Sequence, residues 1–495
     1  MAEIFDARLT PTKGELVEEW VVGQRWYTGR GRPRLRRLGS WRLDDPAGEV
    51  GIETIVFLVE GDALGSHGPR GRRDGAASKG APEPVVIQVP LTYRGAPLEG
   101  AADGLIGEME HSVLGHRWVY DAPHDPVYLE RLLALLRGRA EAQSGSVSET
   151  PDPGVVGHPH PDWGEEPQVA SFRVLAGEQS NTSVVITPDE GRSVIMKIFR
   201  TLHAGENPDI TLPEALGGSP FVPAGVGHVT GGWERADGQG RDTGQLAVAQ
   251  EFLDGAEDAW RVCLRQAERG TRGTGSEPPG PSFHTLGQAV AGVHTELAAA
   301  LPTHAPGPEE VAEQVRRMRR RAAAAVGEVP ALAAHEPAIR AVLDAAEAAT
   351  WPRLQRIHGD LHLGQVLEVP GRGWVIIDFE GEPLRPLTER NAPDCTVRDV
   401  AGMLRSLDYV AGTVIDTVGA GGRSVAAAEA WREEAVLAFL DGYAETAPDP
   451  RDLPELLTAF VLDKALYEVV YEARHRPTWL HLPTAAVARI LEGHP

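Results

Sequence analysis

Residues 356–383 read RIHGDLHLGQVLEVPGRGWVIIDFEGEP, with polar side chains beside two short hydrophobic runs. Gly359 permits a tight turn, so Asp360 can lie at the end of a strand and point into a cleft. A carboxylate in that position can accept the proton of an attacking hydroxyl and hold it in line with a phosphoryl group. The sequence therefore predicts Asp360, with His358 beside it, as catalytic residues.

Two further side chains of the same stretch suit a divalent cation. Gln365 offers an amide oxygen, and Asp378 follows the apolar run 374–377. Mg²⁺ favours such oxygen ligands, and a charged residue at the end of a buried strand needs a partner. A hairpin would bring Asp360 and Asp378 to one edge. The spacing predicts a magnesium site for phosphoryl transfer, rather than a His–Asp pair that only stabilises a turn.

The chain upstream contains residues suited to a nucleotide. Lys197 lies in the apolar strand pattern VIMKIF, where a lysine needs a partner such as a phosphate. Ser180 and Asn181 belong to a polar turn whose N–H and hydroxyl groups could cap phosphates. Glu251 closes a further strand, where the edge of an adenine would meet backbone groups. Together these features predict a nucleotide pocket.

Hydrophobic periodicity predicts an α+β chain, with an antiparallel sheet followed by a helical region. Strand patterns cover 40–43, 51–59, 85–89, 172–175, 183–186, 193–199 and 245–251. Helical patterns cover 125–142, 207–216, 256–268, 283–301, 309–326, 336–349, 397–418, 424–446, 453–474 and 484–493. Within the long helical part, only residues 355–378 break the helical run, and they do so with short strands.

Composition and periodicity divide the chain into a small α+β unit of residues 1–142, a linker of 143–168, a sheet region of 169–254 suited to a nucleotide and a helical region of 255–495. The linker is rich in Ser, Gly, Pro and Glu, a composition that cannot bury enough surface to fold. Residues 61–84 and 271–281 have a similar composition, and we expect them to be mobile loops.

The formal net charge of −23 over 495 residues opposes binding to nucleic acid. No apolar run is long enough to span a membrane. Met1 is followed by acidic and polar residues rather than a basic segment and an apolar core, so we expect no secretory signal. Cys263 and Cys395 lack CxxC spacing, which excludes a disulfide framework or a structural zinc site and favours the reducing cytosol. We therefore expect a cytoplasmic protein, a monomer or weak homodimer, that acts on a small molecule.

Several longer motifs resemble the actinobacterial maltokinases, aminoglycoside-phosphotransferase-like relatives of eukaryotic-type protein kinases. The motifs are EQSNTSVV (178–185), MKIF (196–199), NPDI (207–210), RIHGDLHLGQVL (356–367), IDFEGEP (377–383), RDVAGMLRSLDY (398–409) and DKALYEVVYEARHRP (463–477). The resemblance covers residues 169–490, with a looser match over the first 140. It implies a bilobal protein-kinase-like fold, with an N-terminal α+β cap, a mainly β N-lobe and a mainly helical C-lobe.

The resemblance also implies ATP- and Mg²⁺-dependent phosphorylation of the anomeric hydroxyl of maltose, which gives maltose 1-phosphate for α-glucan and glycogen synthesis. By matched position, Asp360 is the base, Gln365 and Asp378 are Mg²⁺ ligands, and Lys197 pairs with phosphate. Polar residues of the C-terminal motifs are candidate sugar contacts: Glu380, Arg405, Tyr467, Tyr471, Glu472 and Arg476. For the two tyrosines, core packing is the alternative.

Two departures from the family leave alternatives open. Relatives carry a glutamate where this chain has Thr211, so either Glu214, three residues further along the helix, pairs with Lys197 or the lysine has another partner. The stretches 89–101 and 110–126 differ from the cap of the best-known maltokinases, which leaves glucosamine open as the substrate. An aminoglycoside kinase and a non-catalytic pseudokinase are further alternatives, although the complete set of catalytic and metal positions argues against the last.

Overall fold

The computed structural model describes residues 6–27, 29, 31–60, 84–161, 163–164, 169–176, 181–272, 282–382, 385–418 and 422–493. It divides into two units, one formed by residues 1–210 and 224–252 and the other by residues 211–223 and 253–495. The two predicted mobile loops lie outside the described residues, apart from their ends at 84 and 271–272. Every helix in the described part of the chain is too short or too polar to cross a membrane.

Strands dominate the first unit. In chain order its elements are β1 (Leu9–Thr10), α1 (Lys13–Trp20), β2 (Arg34–Leu43), β3 (Val50–Glu60), β4 (Val86–Arg94), β5 (Leu105–His111), β6 (Gly115–Asp121), α2 (Pro126–Leu136), β7 (Gln143–Ser144), β8 (Val155–Pro159), β9 (Ser171–Val174), β10 (Asn181–Thr187), β11 (Val194–Phe199), β12 (Thr201–Leu202), α3 (Pro208–Ala215), which continues into the second unit, β13 (Gly225–Glu234) and β14 (Arg241–Glu251).

The strand β3 separates two hydrophobic cores. It lies within an eight-stranded antiparallel sheet ordered β1-β5-β6-β4-β3-β2-β7, with β12 beside β4. Ile55, Phe57 and Val59 join the core that contains α1, whereas Val56 and Leu58 join the core that contains α2. Successive side chains of a strand point to opposite faces, so the unbroken apolar run of β3 reflects a sheet that is covered on both sides.

The cap and the N-lobe share one of these cores, although the sequence analysis placed them in separate domains. The N-lobe sheet has the order β8-β13-β14-β11-β10-β9, and its residues Val184 and Met196 pack in the same cluster as Val56. The amide of Gln88 in β4 donates hydrogen bonds of 3.0 Å to the carbonyl oxygens of Phe199 and Leu246. The cap is therefore part of the N-lobe unit.

The prediction that residues 143–168 form an unfolded linker is wrong for the described part of that stretch. β7 pairs with β2, β8 pairs with β13, and Trp163 is only 1% exposed. A Cβ at Gly157 would lie 1.7 Å from the Leu135 carbonyl oxygen, so this glycine allows β8 to approach α2 closely. Edge strands need few apolar side chains because backbone pairing holds one side of them, which composition does not reveal.

Helices dominate the second unit, as the hydrophobic periodicity predicted. Its elements are β15 (Glu257–Asp258), α4 (Ala259–Arg272), α5 (Phe283–Ala300), α6 (Pro308–Glu328), α7 (Glu336–Ala348), β16 (Val366–Val369), β17 (Gly373–Ile376), α8 (Leu387–Arg390), α9 (Val397–Val418), α10 (Gly422–Ala444), α11 (Pro454–His475) and α12 (His481–Leu491). The strands β15, β16 and β17 form a small antiparallel sheet. The predicted α+β fold is confirmed, and the strands of 355–378 do interrupt the helices.

Candidate active site

Asp399 fixes the backbone of the loop that carries Asp360. It lies in the first turn of α9 and is 1% exposed. Its Oδ2 accepts a hydrogen bond from the His358 N–H at 2.8 Å, and its Oδ1 accepts one from the Gly359 N–H at 2.9 Å. Burial favours the neutral acid, but the His294 ring at 3.1 Å and these N–H groups hold the pKa of Asp399 below its usual range. The loop is therefore anchored on a charged acceptor.

His358 positions the loop. Its Nε2 lies 3.0 Å from the Ile377 carbonyl oxygen, and its Nδ1 accepts a hydrogen bond of 3.3 Å from the Asp360 N–H. Nε2 carries the proton, since a carbonyl oxygen can only accept. Phe379 packs on the buried ring, with 4.8 Å between ring centroids. Both ring nitrogens are engaged by the backbone, so the structure favours a positioning role over the predicted catalytic one.

Asp360, the predicted base, has a cation beside it. Its Oδ1 is 3.1 Å from Lys464 Nζ on α11, and the two side chains are 20% and 25% exposed. Burial raises the pKa of the carboxyl, but Lys464, with His362 and His358, outweighs burial and holds the pKa below its usual range. Asp360 is therefore ionised at neutral pH and can accept a proton.

The two predicted metal ligands meet directly. Gln365 Nε2 donates a hydrogen bond of 2.8 Å to Asp378 Oδ2, which leaves the amide oxygen of Gln365 for a cation. Asp378 has a φ of 64°, a left-handed conformation that is uncommon outside glycine and concentrates at functional sites. Asp378 and Glu380 also place carboxylate oxygens within 4.8 Å of each other. These oxygens fit Mg²⁺, and Glu380, predicted as a sugar contact, is placed to join them.

A cavity opens beside Asp360, and its charged lining residues occur in pairs. The ion-pair distances are 2.5 to 3.1 Å, so the negative charges are locally balanced. Asp399, which also lines the cavity, is satisfied by backbone N–H groups and His294. The pairs are Asp360 with Lys464, Glu382 with Arg385 and Arg398, and Asp463 with Arg321.

Arg405 is enclosed, so the prediction that it contacts the sugar is not supported. Its side chain is 2% exposed, and its guanidinium lies 2.7 Å from Glu468 and 2.5 Å from Asp408. A buried arginine needs such partners, and these two carboxylates occupy both sides of the fork. Sequence alone does not distinguish a charged helix residue that faces a cleft from one that joins two helices, as Arg405 does.

The other candidate sugar contacts lie along α11. Tyr467 lines the cavity of Asp360, and the 41%-exposed Tyr471 lies one turn further, with 6.5 Å between the ring centroids. His475 extends the row, with its ring 4.5 Å from Tyr471. Glu472 is buried and accepts a hydrogen bond of 2.6 Å from Arg476. Arg476 in turn lies 5.5 Å from the Tyr471 ring centroid. Tyr467, Tyr471 and His475 thus form a row of rings along α11, with Glu472 and Arg476 beside it.

In the first unit, Lys197 pairs with a residue that the sequence analysis did not consider. Its Nζ lies 2.8 Å from Asp209 Oδ2, at the start of α3, and both side chains are largely buried. Asp209 is therefore the other partner of Lys197 that the sequence analysis left open when it found Thr211 in place of the glutamate. Asn181 begins β10 and is buried, whereas Ser180 lies outside the described residues.

The two acidic residues predicted for the nucleotide site differ in their surroundings. Glu214 is exposed and belongs to the second unit. Glu251 ends β14, and its Oε2 accepts a hydrogen bond of 3.2 Å from the Ala224 N–H. Its own N–H donates to the Ala224 carbonyl oxygen at 2.8 Å. Glu251 thus closes the strand pair β13–β14, and its role toward an adenine stays a prediction.

Sequence reasoning missed Asp399, Lys464 and Asp209. Each is a charged residue within or beside an apolar helical pattern, inside the motifs RDVAGMLRSLDY, DKALYEVVYEARHRP and NPDI. A buried charge requires a partner, so their positions carried a signal. Their partners lie 12 to 104 residues away in sequence, which the motifs do not specify.

Comparisons with known proteins identify the family of the chain. The family model "Maltokinase N-terminal cap domain" matches residues 20–125, and the model "Phosphotransferase enzyme family" matches residues 171–381. The cap model thus includes the stretch 89–101 that seemed to depart from it. A glucosamine kinase of Streptacidiphilus jiangxiensis is 30% identical over 339 residues, which cover 65% of this chain and 74% of the relative.

Two further similar proteins are also glucosamine kinases. A glucosamine kinase of Mycolicibacterium smegmatis is 28% identical over 72% of this chain and 88% of its own length. The solved structure of a glucosamine kinase in complex with glucosamine, ADP and inorganic phosphate superposes with a TM-score of 0.66 at 25% identity, covering 97% of this chain and all of that one. The chain therefore belongs to the phosphotransferase enzyme family, among the carbohydrate kinases that carry a maltokinase N-terminal cap domain.

Proposed function

We propose that this carbohydrate kinase transfers the γ-phosphoryl group of ATP to the anomeric hydroxyl of maltose and releases maltose 1-phosphate. Asp360 accepts the proton of the attacking hydroxyl as the new oxygen–phosphorus bond forms and the bond to ADP breaks. Gln365 and Asp378, with Glu380, would hold Mg²⁺, which neutralises charge on the transferring phosphate when bound. Lys197, oriented by Asp209, pairs with the phosphates of the nucleotide.

One observation carries the choice of maltose: the aromatic row on α11 begins in the cavity of Asp360 and continues outward. From Tyr467 to His475 the helix rises about 12 Å, which is longer than one sugar ring. Tyr471, in the middle of the row, is 41% exposed and is therefore accessible to a second sugar ring. A monosaccharide held at Asp360 would leave this part of the row unused.

Tyr467 can also donate a hydrogen bond to the sugar. Burial, together with the negative charge of Glu382, raises the pKa of Tyr467 to about 12. Its hydroxyl is therefore protonated at neutral pH and serves as a donor to a sugar oxygen. A donor at this point orients the reacting ring with respect to Asp360.

The charges of the cavity favour a neutral sugar over an amino sugar. Glucosamine carries an ammonium group, which requires a carboxylate whose charge is not already neutralised. The described carboxylates that line the cavity are held by Lys464, by arginines or by backbone N–H groups. Glucosamine stays the second candidate because two similar kinases are named for it.

An ATP-consumption assay with maltose, glucosamine, glucose and an aminoglycoside tests the proposal. We expect turnover with maltose to exceed that with the other three acceptors. Asp360→Ala should abolish transfer to every acceptor. Turnover with glucosamine but not with maltose would overturn the assignment.

Tyr471→Ala separates a disaccharide site from a monosaccharide site. Loss of this exposed aromatic contact should raise KM for maltose by about tenfold with kcat almost unchanged, and should leave KM for glucose within about twofold. Tyr467→Phe removes only the hydroxyl and should lower kcat for both sugars. An equal change of KM for maltose and glucose in Tyr471→Ala would contradict the two-ring site.

A further inference from the structure

Lys464 is a charged residue of the active site to which neither the motif at 356–383 nor the proposed function gives a role. It lies on α11, and its Nζ is 3.1 Å from Asp360 Oδ1. The ammonium also lies 5.1 Å from the ring centroid of Tyr467, three residues further on the same helix. The cavity of Asp360 is lined by all three side chains. Lys464 therefore reaches Asp360 from α11, the helix that carries the aromatic row.

The surroundings of Lys464 keep it charged. Burial opposes its ionisation, but the carboxylates of Asp360, Glu382 and Glu468 outweigh burial and raise the pKa of Lys464 above its usual value. Lys464 consequently acts as a fixed cation at neutral pH and does not exchange protons with the substrate.

The contact engages only one of the two carboxylate oxygens. Asp360 Oδ1 accepts from Lys464, and the charged and titratable groups that face Asp360 from its own loop are His358 and His362. Without a fixed partner, a carboxylate rotates about χ2 and presents either oxygen. With Oδ1 held, Oδ2 is the oxygen that an attacking hydroxyl can approach.

We propose that Lys464 is a positioning residue for phosphoryl transfer, which holds Asp360 by Oδ1 and directs Oδ2 at the attacking sugar hydroxyl. The inference rests on the proposed function in that Asp360 is the base. In the step itself, Oδ2 takes the hydroxyl proton, the sugar oxygen bonds to the γ-phosphorus, and ADP leaves with the electrons of the broken bond. Lys464 neither gains nor loses a proton in this step.

Lys464→Met tests this because it preserves the length of the side chain and removes its charge. We expect kcat to fall about 10- to 100-fold, the effect of losing a charge-assisted hydrogen bond to a reacting group, with KM for ATP nearly unchanged. The acid limb of the kcat/KM profile should also move upward by about one pH unit or more, because burial of Asp360 is then unopposed by Lys464. Lys464→Arg, which retains the charge, should recover part of kcat and most of the profile.

The control is Arg474→Met on the same helix, which removes a partly exposed pair with Glu328 outside the cavity. It should leave kcat and the pH profile as in the wild type. A role of Lys464 in stability alone would lower the melting temperature without moving the pH profile of the folded fraction, and that result would overturn the inference. If Lys464→Met does not fold, kcat of Lys464→Arg decides, since the larger head group displaces Asp360 while the retained charge keeps the acid limb near that of the wild type. A wild-type kcat in Lys464→Arg would then overturn the inference.

Asp360→Ala, assayed in parallel, distinguishes failure of the inference about Lys464 from failure of the proposed function. If Asp360→Ala is inactive and Lys464→Met retains wild-type kcat and profile, the inference about Lys464 fails and the base assignment stands. If Asp360→Ala keeps near-normal turnover, the proposed function fails first, and the inference about Lys464 with it.

Discussion

Asp399 Oδ1 accepts a hydrogen bond of 2.9 Å from the backbone N–H of Gly359, the residue immediately before Asp360. The second oxygen of the same carboxylate serves His358. One buried charge on α9 thus holds two consecutive peptide groups of the catalytic loop. The position of Asp360 depends on a helix that begins 37 residues later in the chain, at Val397.

Asp399→Asn should weaken this anchor although it preserves the shape of the side chain. One oxygen becomes an NH₂ group that faces a backbone donor, so a buried N–H loses its acceptor. We expect the free energy of unfolding to fall by about 2–3 kcal/mol and kcat to fall at least about tenfold, because Asp360 shifts. Asp416→Asn, an exposed residue of the same helix paired with His481, should change stability by less than about 0.5 kcal/mol in urea denaturation.

Gly402 offers a second test of how closely α9 approaches the catalytic loop. A Cβ at Gly402 would lie 2.2 Å from the Leu361 carbonyl oxygen, whereas one at Gly412 on the same helix would meet only the end of the Leu482 side chain. Gly402→Ala should therefore destabilise the fold by about 1–3 kcal/mol and reduce kcat. Gly412→Ala should retain activity, since Leu482 can move aside. Equal thermal shifts and activities in the two variants would refute the close approach.

The helices, and the grouping of candidate site residues within 356–383, were predictable from the sequence because both are local. A 3.6-residue period identifies a helix wherever it packs. Gln365 and Asp378 flank the hairpin β16–β17, and Asp360 lies a few residues before it in the chain. The strand β8 was missed because its apolar residues are few and its stability comes from pairing with β13. Local composition does not contain that information.

The partners of buried charges were not predictable. Sequence reasoning recognised that Lys197 needs a counterion, yet it considered Glu214 first, and the structure places Asp209 at 2.8 Å. For Arg405 it favoured the sugar, whereas Glu468 and Asp408 enclose the guanidinium. In each case the residue type indicates that a partner exists, and only the packing of distant helices and strands determines which one.

Glu382→Gln should make the free energy of unfolding less dependent on pH in the acidic range. Burial raises the pKa of this carboxyl, but Arg398 and Arg385, each at 2.8 Å, outweigh burial and hold the pKa below its usual range. A depressed pKa contributes stability that is present above the unfolded value of about 4.3 and is lost as pH falls through the folded value.

The free energy of unfolding of wild type should thus exceed that of Glu382→Gln by about 1–3 kcal/mol at pH 7. The difference should narrow as pH falls below about 4. Urea denaturation at pH 7, 5 and 3.5 measures it, with Glu336→Gln as the control for an exposed pair on α7. A difference that stays constant over this range would contradict the shifted carboxyl.

Arg200→Met should destabilise the first unit more than any surface change, because it leaves a buried carboxylate without its partner. Arg200 is 0% exposed, and its guanidinium lies 2.8 and 2.6 Å from the two oxygens of Asp121, at the end of the cap strand β6. Breaking such a pair costs about 3–5 kcal/mol, so urea denaturation followed by tryptophan fluorescence should show a transition at lower urea concentration.

The double variant Arg200→Met/Asp121→Asn removes both charges and should recover part of the lost stability. Arg34→Met, whose exposed pair with Glu60 spans 3.9 Å, should change stability by less than about 1 kcal/mol. If the double variant were no more stable than Arg200→Met, the cost would lie in packing and not in the unpaired charge.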